Sequence, residues 1–142
     1  MSHCHQNKQD ETKELMDKYI EAAEQGDAEA QFQLGKLYGL GKYAEEEMIE
    51  WYTKAAENGH QEAQVALGKF YYEEGNIDEA IYWCTKGAEQ GNIKAQFLLG
   101  EIYDDEDWEK YNADKAFYWY MKAAEQEMQM HKVLWERCIA MD

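Results

Sequence analysis

The 142-residue sequence contains no proline. Uninterrupted helix is therefore permitted throughout, and proline-stapled loops are excluded. Cysteine is sparse, at Cys4, Cys84 and Cys138. An odd number without regular spacing is not a disulfide framework. No apolar run approaches the roughly 18 residues of a membrane span. Residues 1–8 are polar and lack the apolar core of a secretory signal. These absences make the cytosol, with reduced thiols, the expected location. Catalytic signatures are missing as well: no glycine-rich phosphate loop after a strand, no nucleophile elbow and no H-E-x-x-H. Neither enzymatic activity nor a cofactor is expected.

Helix-favouring Ala, Glu, Lys, Gln, Leu and Met are abundant. Eleven Tyr and five Trp supply apolar surface to bury, which argues against disorder. The formal net charge is −16. Such a surface repels nucleic-acid backbones and anionic membranes, and it attracts basic proteins. The expected partner is thus another protein with a basic surface. The oligomeric state is open, with a monomer favoured.

The chain repeats itself. Residues 18–35 read KYIEAAEQGDAEAQFQLG, residues 51–68 WYTKAAENGHQEAQVALG, and residues 83–100 WCTKGAEQGNIKAQFLLG. A fourth copy opens at 119 as WYMKAAEQ and then decays. The reference positions are Gly26, Gly59, Gly91 and Glu127, spaced 33 (59 − 26), 32 (91 − 59) and 36 (127 − 91) residues apart. That is the period of a helix–turn–helix unit. Gly26, Gly59 and Gly91 suit the left-handed position after a helix. Asp27 and Asn92 suit the N-cap of the next helix. Ala30, Leu34 and Tyr38 recur as Ala63, Leu67 and Tyr71 and as Ala95, Leu99 and Tyr103, an i, i+4, i+8 apolar stripe. Gly35, Gly68 and Gly100 fall inside that helix, where glycine costs about 0.5–1 kcal/mol relative to alanine. Three repetitions of that cost predict a close helix crossing that excludes Cβ. The periodicity predicts helices over 11–25, 28–39, 44–58, 61–73, 78–90, 93–103 and 113–127, then a final one to about 140. Asp78 and Asn112 are the expected caps of second helices.

The pattern A-x-x-x-L-G-x-x-Y, a variable loop, then W-[YC]-x-K-[AG]-A-E-x-G closely resembles the Sel-like repeat, a relative of the tetratricopeptide repeat. The resemblance covers about residues 15–127. It implies an all-α fold, a right-handed α/α superhelix of seven to eight antiparallel helices, used by adaptors and scaffolds. This gives three full helix pairs with terminal half-units, a single domain over 11–142 and a flexible tail over 1–10. Two departures stand out. The loops at 39–43 and 74–77 are short. The fourth unit reads Glu127-Met128 where glycine is expected, so helix 113–127 either runs on into 128–140 or turns under strain. In both cases 128–140 is expected to cap the last repeat through Met128, Val133, Leu134 and Ile139.

Few residues carry chemistry. His60 stands where Asp27 and Asn92 stand and reads as a surface turn residue. Cys84 replaces Tyr52 and Tyr120 at an inward position and reads as a buried, inert thiol. His3-Cys4-His5 is the one metal-like cluster, but a closed zinc site needs a fourth ligand. No metal site is expected there. Asp104-Asp105-Glu106-Asp107 is no EF-hand loop, because twelve residues from Asp105 end at Ala116 without glutamate or central glycine.

Two candidate binding surfaces follow. By resemblance to tetratricopeptide arrays, the variable positions of the first helices line a concave face: Glu29, Phe32, Gln33, Lys36, Glu62, Val65, Lys69, Tyr72, Lys94, Phe97, Leu98 and Glu101. Phe32, Val65 and Phe97 could equally be packed between helices. The second surface is an acidic edge at the junctions between paired helices: Glu45, Glu46 and Glu47, Glu73 and Glu74, Asp104, Asp105 and Asp107. It is either a docking strip or a solvated edge. The expected function is a non-enzymatic protein-binding module, with an immunity or inhibitor protein against a basic toxin as its sharpest version. An assembly adaptor is the alternative, and a metal-binding protein the third.

Overall fold

The structure is a computed structural model that describes residues 2–41 and 44–140, with side chains at 7–41 and 44–140. Seven helices account for nearly all of it, and no strand occurs among the described residues. They are α1 (Ser2–Glu24), α2 (Ala28–Gly39), α3 (Glu45–Glu57), α4 (Gln61–Glu73), α5 (Ile77–Glu89), α6 (Ile93–Asp104) and α7 (Ala113–Ala140). The chain divides into two compact units, residues 1–64 and 65–142, with the boundary inside α4.

In the first unit α2 packs against both α1 and α3. Its core is Ala23, Ala30 and Leu34, flanked by Tyr19, Ile20, Tyr38 and Trp51. In the second unit α6 packs against α5 and α7. Its core joins Ala80, Cys84 and Ala88 of α5 to Ala95, Leu98, Leu99 and Ile102 of α6. The predicted stripe is the buried face: Leu34, Leu67 and Leu99 are fully enclosed. Truncating any of them to alanine would cost about 2–5 kcal/mol.

The turns form as the sequence predicts. Gly91 has φ +89°, and Gly26 and Gly59 share that left-handed conformation. At each, the glycine N–H bonds back three residues and the next N–H five residues, as in Gly91 to Ala88 O and Asn92 to Gly87 O. This Schellman arrangement satisfies helix carbonyls that would otherwise lack donors. The following helix is capped at once. Asp27 Oδ1 accepts from the Ala30 N–H at 2.8 Å, and Asn92 Oδ1 from the Ala95 N–H at 3.0 Å. Asn112 caps α7 in the same way, accepting from the Lys115 N–H. Asp78 does not cap α5. Asn76 does, through the Glu79 N–H, because the helix starts at Ile77, one residue before Asp78.

The interior glycines mark crossings too close for a Cβ. One built on Gly35 would strike the Tyr52 ring, on Gly68 the Cys84 sulfur, and on Gly100 the Tyr120 ring.

The ends differ from expectation. α1 begins at Ser2, ahead of the expected 11. At the other end no separate eighth helix exists among the described residues. α7 runs unbroken for 28 residues. Glu127 cannot adopt the glycine conformation cheaply, so the helix continues instead of turning. Residues 128–140 therefore do not cap the last repeat. Met128, Val133, Leu134 and Ile139 are all exposed.

Candidate binding groove

The two units present their variable residues differently. In the first unit Phe32 is only 7% exposed. It stacks on Tyr52 (centroids 5.5 Å apart) and on His60 (4.5 Å). It is a packed residue, not a contact surface, because these two rings enclose it. Around it Glu29 accepts from the Gln33 amide at 2.6 Å and meets His60 Nε2 at 2.7 Å. His60 Nδ1 accepts from the Ala63 N–H at 3.2 Å. That acceptor role leaves the ring proton on Nε2, which donates to Glu29. His60 thus takes the cap position that Asp27 and Asn92 hold, and is more than a surface turn residue. The Gln33 and His60 bonds hold the Glu29 carboxyl below its usual range. Lys36 reaches over the Phe32 ring, and Glu62 is exposed.

In the second unit Val65, Lys69, Tyr72, Lys94, Phe97, Leu98 and Glu101 come together around one groove of about 890 Å³. Its lining is mainly apolar. Leu98 belongs to the core and forms the floor, whereas Phe97 is 52% exposed. The charged rim is nearly balanced, with Lys69 and Lys94 against Glu73, Glu101 and Glu127. Ile93, Tyr120, Ala123, Ala124 and Glu127 also line the groove and were not anticipated from the sequence. Four of these lie on α7, the second helix of its pair, and reach the groove because Gly100 lets α7 close onto α6. The one sequence signal was the shared register of Tyr52, Cys84 and Tyr120. Phe97 and Tyr120 have ring centroids 5.4 Å apart. Burial, then the nearby Asp104 and Glu101, pushes the Tyr120 hydroxyl pKa up, so it is a neutral donor.

The acidic residues fall into separate roles. Glu45, Glu46 and Glu47 form the first turn of α3, where negative charge complements the helix dipole. In the second unit Glu73 closes α4 within 3.9 Å of Lys69, and Glu74 is exposed. Asp104 ends α6, and Asp104 and Asp107 are exposed. Asp105 is not a free docking residue. It accepts from the Tyr72 hydroxyl at 3.0 Å and the Asp107 N–H at 3.1 Å, tying α4 to the loop after α6. Burial, reinforced by this bond, raises the Tyr72 pKa.

Cys84 is fully buried, and burial pushes its pKa up to about 12. The His3-Cys4-His5 cluster lies outside the residues whose side chains are described. Among the described residues, no group of three or more metal-ligating side chains converges, and no helix is long and apolar enough to cross a membrane.

One recurrent polar feature was not read from the sequence. Gln31, Gln64 and Gln96 are buried, and each donates through Nε2 at 3.1 Å to a carbonyl of the preceding helix, on Ala23, Ala56 and Ala88. Each amide ties the start of one helix to the end of the last. The signal was present as A-Q-[FV] at 30–32, 63–65 and 95–97.

Comparison with known proteins agrees with this architecture. The Sel1 repeat family model matches residues 28–60, 61–92 and 93–128. Each match is one helix pair: α2 with α3, α4 with α5, and α6 with the first part of α7. The chain is similar to the crystal structure of c5321, a protective antigen of uropathogenic Escherichia coli strains displaying an SLR fold. Identity is 36% and the TM-score 0.69, over 78% of this chain and 25% of that one. It is also similar to a Sel1 repeat protein from Oxalobacter formigenes, at 35% identity and TM-score 0.69, over 78% of this chain and 47% of that one. The chain thus spans about a quarter to a half of these relatives' length. It matches none of the curated proteins. Sel1 repeats are generally non-enzymatic modules that mediate protein–protein interaction. Three consecutive matched repeats, each a helix pair that follows the same glycine turn and shares the same glycine crossing, make this chain a member of the Sel1 repeat family.

Proposed function

We propose that the chain binds a basic protein in the cytosol and blocks or sequesters it, as an immunity or inhibitor protein would. The groove of the second unit carries this reading. It combines an open apolar floor at Phe97 and Leu98 with a rim of charged side chains. Such a groove suits an amphipathic segment laid in with its apolar face down. The net charge of −16 adds long-range attraction for a basic partner and raises its rate of encounter. Glu73, Glu101 and Glu127 at the rim then meet Lys or Arg side chains on arrival.

The experiment is capture of partners from the native host by the wild-type chain and by Phe97→Glu. The expected partner is basic, is lost with Phe97→Glu, and associates more slowly as salt rises. An acidic partner, or one indifferent to Phe97→Glu, would refute the reading.

A further inference from the structure

The face that α5 turns toward α6 has no cover on α7. Ile81, Thr85 and Ala88 of α5 correspond to Phe117, Met121 and Ala124 of α7, 36 residues later. Ile81 packs on the core that α6 contributes to, Thr85 is half-buried, and Ala88 is buried. Phe117, Met121 and Ala124 are all exposed, Phe117 by 67%.

The helix that would cover this face is present in the chain. The stripe Ala95, Leu99 and Tyr103, carried forward 36 residues, falls on His131, Trp135 and Ile139. These residues cannot fold back, because Glu127 replaces the turn glycine and α7 continues straight. Trp135 is left 68% and Met128 72% exposed. Phe117, Met121, Ala124, Met128, His131, Trp135 and Cys138 then follow a strict 4-3-4-3-4-3 spacing. That is a heptad seam, roughly 30 Å long at 1.5 Å per residue. α7 thus holds both halves of an antiparallel helix pair in one line.

We propose that a second copy of this chain supplies the missing half, the two α7 helices pairing antiparallel about an axis beside Met128. Residues 128–140 of each copy cover Phe117, Met121 and Ala124 of the other. Met121 meets Trp135, Phe117 meets Ile139, and Met128 meets its own counterpart. Exchange of an identical element through an opened turn is a low-cost route to a closed dimer. Register selects the orientation, because only antiparallel pairing brings residues 128–140 of one copy onto Phe117, Met121 and Ala124 of the other. It also sets Glu125 of one copy beside Lys132 of the second. Residues 128–140 also carry a formal charge of +1, from Lys132 and Arg137 less Glu136, in a chain of −16. The two copies therefore meet through a segment opposite in sign to the rest of the chain, which limits their mutual repulsion. The seam touches the groove only at Ala124, so Phe97 and Tyr72 stay open to a different partner.

The test is self-association of the purified chain, independent of any other protein. Sedimentation across the micromolar range is expected to show a dimer, and Met128→Glu a monomer at the same concentrations. A cysteine at the axis checks the geometry. In a Cys4→Ser, Cys138→Ser background, Met128→Cys is expected to cross-link two chains under mild oxidation. Val133→Cys, on another face of the helix, is expected not to. A wild-type monomer throughout the range, or a dimer in which Met128→Cys fails to cross-link, would overturn the proposal.

Discussion

Gly68 on α4 and Cys84 on α5 approach so closely that no methyl group fits between them. Gly35 meets Tyr52, and Gly100 meets Tyr120, at the same register. The opposing group is a thiol in one case and an aromatic ring in the other two, but the glycine is shared. Gly68→Ala gains helix propensity of about 1 kcal/mol. It also overpacks a crossing, which costs about 1–3 kcal/mol. Cys84 is fully enclosed, and its backbone nitrogen also lies 3.3 Å from the added Cβ, so a net loss is expected in urea unfolding. Gly68→Ala with Cys84→Ala is expected to lose less than the sum of the two single changes, since the second removes the atom struck by the first. Additive losses would show that the two residues do not oppose each other.

The Cys84 thiol is expected to be inert. Burial raises its pKa to about 12, so at pH 8 almost none is the reactive thiolate. In a Cys4→Ser, Cys138→Ser chain, a thiol reagent should label Cys84 only as fast as the protein unfolds. Labelling that is rapid in buffer and unchanged in urea would contradict its burial.

Gln31 joins three elements. It donates to Ala23 O, and its Oε1 accepts from the Asn58 amide at 3.0 Å. Gln31→Leu keeps the volume but leaves the Asn58 amide without that acceptor and removes a donor from the Ala23 carbonyl. The expected loss is about 1–3 kcal/mol. Asn58→Ala alone should cost less, because its amide is more exposed. Thermal melting of both variants measures the difference.

Glu29 gives the first unit an acid-sensitive contact. Its carboxyl titrates below 4.5 when folded, chiefly through the Gln33 amide and then His60. A depressed folded pKa stabilises above the unfolded value and loses that contribution as pH falls through the folded one. Wild type should therefore exceed Glu29→Gln in stability near neutral pH, and the gap should close below about pH 4.5. Because Glu29 is exposed, added salt should shrink the gap at every pH. A gap independent of pH and salt would assign the effect to something other than charge.

Much of the fold could be read from residue pattern because it is local. Gly91-Asn92 specifies a turn and a cap through bonds that each span six residues or fewer, and Ala95, Leu99 and Tyr103 specify a buried face by spacing alone. The same logic failed at Asp78, where Asn76 two residues earlier has equal capping chemistry and the structure uses it. The groove was partly legible. Val65, Lys69, Tyr72, Lys94, Phe97, Leu98 and Glu101 gather as the variable positions implied. Tyr120, Ala123, Ala124 and Glu127 were missed, because their part depends on how α7 crosses α6.

Phe32 and Phe97 mark the division most clearly. They hold one register in the repeat, and their sequence surroundings, A-Q-F, are identical. The sequence by itself determined the helix pairs, their glycine turns and their buried leucines, since each follows from interactions a few residues apart or from a fixed period. Tertiary structure decided which repeated position faces solvent. Phe32 is enclosed by Tyr52 and His60, whereas Phe97 stands half-open beside Tyr120. Exposure depends on what packs against a residue from elsewhere in the chain. At the end of the last repeat, the replacement of glycine by Glu127 carries α7 straight on and leaves that neighbour absent.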